Sequence, residues 1–118
     1  MRFFSTLMLL VFVSLVPIQL LADNKVPIGV VNTTAYCSGT TTASGIRVRT
    51  GHIALSRDLV KKLGARYGDK IYLEGHQYPY EFQDLMPPQW KNKMDVYMNR
   101  ASAVEYGLKK RMAWLEKR

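Results

Sequence analysis

Residues 69–83, DKIYLEGHQYPYEFQ, read as two strands and the turn between them. From Asp69 to Glu74 the side chains alternate: Ile71 and Leu73 fall on one face, Tyr72 and Glu74 on the other. That period of two is the mark of a strand with one face buried. Gly75-His76-Gln77 supplies the turn, and Tyr78 to Gln83 returns as the partner strand. The stretch is too short and too strongly alternating for a helix, so it commits this part of the chain to β structure.

Outward from this hairpin the same grammar continues. Toward the N-terminus, Val26 to Tyr36 is largely apolar and β-branched and predicts a first strand. Ser38 to Gly45 is a Ser/Thr/Gly loop, and His52 to Leu55 is a short apolar strand. Ser56 to Leu63 predicts one or two helical turns, with Ser56 as cap, Asp58 in the first turn and Gly64 closing the end. Toward the C-terminus, Leu85 to Lys93 is a loop stiffened by Pro87-Pro88, and Met94 to Met98 is another strand. Asn99 caps a helix through Tyr106, Gly107 ends it, and Lys109 to Leu115 forms a last strand before a charged tail. About six short strands and one or two short helices predict a mainly β domain, a small barrel or sandwich.

The first 22 residues stand apart. Arg2 is followed by a run from Phe3 to Leu21 that is almost wholly apolar, with Pro17 near its end and the small residue Ala22 before Asp23-Asn24-Lys25. This is the layout of a signal peptide, so residues 1–22 are expected to direct export and residues 23–118 to form one domain. If the segment is not cleaved it becomes a tether, since the run is about long enough to span a bilayer. The expected compartment is the periplasm or cell envelope of a bacterium, with association at the outer membrane or peripherally at a membrane surface. Cys37 is the only cysteine, so an exported chain of this kind has no internal disulfide. It reads as a half-buried strand residue, and packing and backbone pairing must supply the stability. A monomer is expected.

The chain carries 17 Lys and Arg against 9 Asp and Glu, a net charge of +8. Outside the cytoplasmic membrane such a surface meets anionic lipids and wall polymers. There is no arginine-rich tract or nucleic-acid motif, so nucleic acid is not an expected partner. His52, His76 and Cys37 do not lie at metal-ligand spacing, and neither a metal nor another cofactor is expected. No Gly-x-Ser-x-Gly pattern is present. That leaves the carboxylates. Asp84 ends an aromatic strand and leads into the apolar Leu85-Met86-Pro87-Pro88 segment. A carboxyl placed there is suited to partial desolvation, which raises its pKa and equips it as a general acid. Asp95 opens the next strand, so the two carboxylates flank one loop. Their alternative use is to accept backbone N–H bonds and pin that loop.

In this light the stretch from Thr34 to Gly107 resembles the three-aspartate (3D) domain family, which includes the C-terminal domain of membrane-bound lytic murein transglycosylase A. The matching pieces are Thr34-Ala35-Tyr36, Thr42-Ala43-Ser44-Gly45, Gly51-His52-Ile53-Ala54-Leu55, residues 68–75 (GDKIYLEG), Asp84, Asp95-Val96-Tyr97-Met98 and the helix Ala101 to Gly107. Asp84 and Asp95 are eleven positions apart, as are the family's second and third aspartates. The resemblance implies a six-stranded double-psi β-barrel and cleavage of peptidoglycan glycan strands by a lytic transglycosylase. By family position Asp84 is the expected acid/base and Asp95 its supporter, with Tyr36, Thr42 and Trp90 as groove residues. Two positions depart from the family. Ser56 stands where the first aspartate is usual, and Leu85-Met86-Pro87 where Thr-Gly-Gly is common. Those departures keep a second expectation open, a non-catalytic peptidoglycan-binding or envelope interaction module on the same barrel.

Overall fold

A computed structural model describes residues 24–118; the expected export segment, residues 1–22, lies outside them. The elements in order are β1 Lys25–Tyr36, β2 His52–Leu55, α1 Arg57–Leu63, β3 Lys70–Leu73, β4 Tyr80–Leu85, β5 Lys93–Tyr97, α2 Arg100–Tyr106 and β6 Lys109–Glu116. The six strands close into a barrel in the order β1-β5-β2-β4-β3-β6. The expected mainly β domain forms, as a barrel and not a sandwich, with two short helices. The pairs β1/β5 and β2/β4 are parallel and the other four antiparallel. Exchanging β1 with β4, β2 with β5 and β3 with β6 leaves every neighbour and every direction unchanged. This pseudo-twofold pairing is compatible with a double-psi barrel.

Alternation fills the interior. Val31, Ile53, Leu55, Ile71, Leu73, Phe82, Met94, Val96, Ala113 and Leu115 all point inward and form one core, joined by Leu59 of α1. A small barrel is packed solid by such residues. Closure leaves no sheet edge unpaired, so the fold is held without a disulfide; Cys37, just past β1, is free and half-buried. Thr33 is the polar intruder in the β1 interior row, and its hydroxyl donates to Lys109 O at 2.9 Å.

The local rules hold with two exceptions. Gly64 ends α1 with φ 62°, the left-handed conformation that favours glycine, and Asn99 caps α2 by accepting from Ser102 N at 2.9 Å. Ser56 occupies the N-cap position of α1 but makes no side-chain cap bond. Its hydroxyl oxygen accepts instead from Lys93 N at 3.0 Å, while Ser56 N donates to Lys93 O at 2.9 Å. The end of β2 is thereby tied to the start of β5. The second exception is the return strand of the hairpin, which starts at Tyr80 rather than Tyr78. Pro79 has no N–H for a ladder bond, so Tyr78 stays outside the sheet and is 71% exposed. At its other end the strand runs on through Asp84 to Leu85.

Candidate functional site

The two aspartates meet on the outside of the barrel because of one irregularity. Ile53 of β2 is in register with Phe82 of β4, and both face the core. The next partner of Ala54 is Asp84, not Gln83. The bulge at Gln83 resets the alternation, so Asp84 faces outward, where an unbroken strand would have turned it into the core with Phe82. On the other side Ala54 is in register with Asp95 of β5, and Asp95 with Thr34 of β1. Thr34, Asp95, Ala54 and Asp84 therefore form one row across four neighbouring strands. Ala54 stands between the carboxylates, and its methyl group takes little of the space they share.

The two carboxylates have different surroundings. Asp84 accepts from three donors: Ala43 N at 2.9 Å and Leu85 N at 3.0 Å on Oδ1, and the Tyr36 hydroxyl at 3.0 Å on Oδ2. Two of these are backbone N–H groups, so part of its role is to pin the loop ahead of β2. Asp95 accepts only from Thr34 Oγ1, at 2.9 Å on Oδ1; its Oδ2 has no hydrogen-bond partner among the described residues. Burial pushes the Asp95 pKa above the usual carboxylate range. The Thr34 hydrogen bond and the Lys93 charge pull it down, and the neighbouring Asp84 charge adds to the rise.

Tyr36 sits two residues beyond Thr34, on the same face of β1. Its ring meets Tyr97 edge to face at 5.3 Å between centroids. Burial, the charge of Asp84 and the hydrogen bond to Asp84 all raise the phenol pKa, so the hydroxyl remains a donor. Trp90, on the loop before β5, is 42% exposed, with the Lys93 ammonium 3.8 Å from its ring centroid. Lys93 is two residues before Asp95 on the same face, and through it the indole is tied to β5. Thr42 is placed differently. It is buried, and its hydroxyl bonds Ser44 Oγ at 2.8 Å and Ile46 O at 3.1 Å, so it holds the loop together. Asp58 accepts from Asn92 N at 3.0 Å and clamps the start of the β5 approach.

Sequence reasoning did not single out Thr34, Ala54, His52 or the Ala43 N–H as parts of the site. Thr34 was legible in principle, since period two puts it on the face of Tyr36. The others depend on strand register. A separate concavity of about 660 Å3 lies on the β3–β6 side of the barrel, lined by Tyr72, His76 and Trp114 among others. It holds no pair of aspartates. Among the described residues no group of three or more His, Cys, Asp and Glu side chains is arranged to hold a metal ion. None of their helices is long and apolar enough to cross a membrane.

The fold and the site together define a closed six-stranded barrel with an outward-facing aspartate pair. No family model matches the chain, and comparisons with curated proteins and with solved structures give no match either.

Proposed function

We propose that this chain is a three-aspartate domain of the double-psi barrel type that cleaves the glycan strands of peptidoglycan as a lytic transglycosylase. On this reading it works in the bacterial cell envelope, exported by residues 1–22. The observation that carries the reading is the Asp84–Ala54–Asp95 row, two outward-facing carboxylates on either side of Ala54 in unlike environments.

Those environments favour exchanging the roles that family position suggests. Both oxygens of Asp84 are engaged as acceptors. Asp95 is raised by burial and keeps one oxygen free, so it is the better proton donor. Asp95 in its neutral form protonates the glycosidic oxygen between N-acetylmuramic acid and N-acetylglucosamine. The C1–O bond breaks, and the leaving sugar departs as an alcohol. The Asp95 carboxylate then takes the proton of the C6 hydroxyl, whose oxygen closes onto C1 to give a 1,6-anhydro end. One proton is given and one recovered, so a single acid/base suffices and no water is consumed. A hydrolase would need a second carboxylate acting on water or on C1. Asp84 keeps Tyr36 in place and, through its charge, adds to the rise that burial gives the Asp95 pKa. Trp90, part-exposed on the loop before β5, offers a ring face for a sugar to stack on.

The test is release of anhydro-muropeptides from purified sacculi. Wild-type protein should release them, and Asp95→Asn should lower the rate about 100- to 10,000-fold, the usual worth of an acid/base group. No release by wild type beside an active control enzyme would overturn the reading. The second reading, a wall-binding module without the reaction, draws on Ser56. At the family's first-aspartate position this residue is fully buried, with its oxygen committed to Lys93 N. Co-sedimentation with sacculi and no product would favour it.

A further inference from the structure

The loop of residues 38–51 is folded on itself. Thr42 N donates to Ile46 O at 2.8 Å and Val48 N to Thr40 O at 3.0 Å. The loop is fastened to the barrel at two places. At its tip, Ala43 N donates to Asp84 Oδ1 at 2.9 Å and Ser44 N to Gln83 O at 3.1 Å. At its base, Arg49 N donates to His52 Nδ1 at 3.3 Å, and His52 N donates to Arg49 O at 3.2 Å.

His52 opens β2 two residues before Ala54, on the same outer face, yet it is only 1% exposed. Because Nδ1 accepts, the proton of the neutral ring sits on Nε2. Nε2 is buried and has no hydrogen-bond partner among the described residues. A stranded buried donor costs stability, and an apolar side chain would fill the same space without stranding one. What the imidazole adds is the Nδ1 acceptor at the loop base. Burial, and then the Arg49 charge, favour the neutral ring against the opposing pull of Glu81 and Asp84, which keeps that acceptor available.

We propose that His52 is a positioning residue for Asp84: its Nδ1 anchors the base of the 38–51 loop, and the loop tip in turn delivers the Ala43 N–H to the Asp84 carboxylate. The inference rests on Asp84 belonging to the reactive pair, but its readout does not depend on turnover. Amide hydrogen exchange followed by NMR on the full chain tests it, with His52→Leu and His52→Asn. Leucine removes the acceptor; asparagine keeps one near the place of Nδ1. His52→Leu should speed exchange at Ala43 and Arg49 at least about tenfold while Val96 in the core keeps its protection. His52→Asn should return Ala43 to near its wild-type rate, and glycan release should follow the same order. Unchanged protection of Ala43 in His52→Leu would overturn the proposal. So would a uniform loss of protection that includes Val96, since that marks a merely structural role. If wild type releases no glycan product, the reaction falls, while the exchange at Ala43 still decides the anchoring.

Discussion

Asp95 keeps one oxygen on the Thr34 hydroxyl and leaves the other without a hydrogen bond. Its folded-state pKa lies above the unfolded value because burial disfavours the charge. Folding therefore favours the neutral form. The stabilisation from that form is full below the ordinary carboxylate range and is lost as pH rises through the raised pKa. At neutral pH the ionised side chain weighs against the fold. Asp95→Asn should accordingly melt higher than wild type at pH 7, and the gap should shrink as pH falls below the carboxylate range. Calorimetry across pH checks this, and a lower melting temperature at pH 7 would contradict the account. On the proposed mechanism the same titration sets the rate. Glycan release should fall on the alkaline side as Asp95 loses its proton. Tyr36→Phe removes a hydrogen bond to a charged group, which is worth about 1.5–3 kcal/mol. Release should drop roughly 10- to 100-fold if that bond is needed in the transition state, as initial rates on sacculi will show.

At the scale of elements, the decisive feature is the bulge in β4. Gln83 has no partner of its own on β2, and Asp84 and Leu85 take the places opposite Ala54 and Leu55. Deleting Gln83 would remove the bulge and leave Asp84 opposite Ala54 and Leu85 opposite Leu55, so Asp84 would keep its outward face in a regular alternation. The deletion variant should therefore still fold, with a cooperative urea transition, while losing the Ser44 N to Gln83 O tie at the loop tip. A variant that fails to accumulate as folded protein would show that Gln83 does more than reset the facing of Asp84. The elements around it follow local rules more simply: β2 is all buried because its outer face is covered, and α2 ends where Gly107 allows it.

The whole molecule depends on pairings between distant parts of the chain, above all β1 with β5 and β6. Such topology folds slowly, on the order of milliseconds to seconds, and stopped-flow refolding should fall in that range. Phe82 is the largest fully buried side chain and sits in the interior beside the bulge. Phe82→Ala should cost about 3–5 kcal/mol, a large share of the 5–15 kcal/mol typical of a domain. Urea denaturation measures it, and a loss under about 1 kcal/mol would mean that the barrel interior is not the main support of the fold.

The period-two alternation at Ile71 and Leu73, the Gly64 and Asn99 helix ends and the apolar strand His52–Leu55 were all legible, because each is set by neighbours a few residues away. The sequence by itself determined a mainly β domain of short strands and marked Asp84 and Asp95, with Tyr36 through the family resemblance, as candidates for its chemistry. It also placed the return strand too early, reading past Pro79. It offered no way to see that Gln83 bulges, that Ala54 separates the two aspartates, or that Thr42 spends its hydroxyl inside the loop. Those are matters of register between strands far apart in the chain. Only closure of the barrel fixes that register, and with it decides that Asp95 is buried while Asp84 is held by three donors.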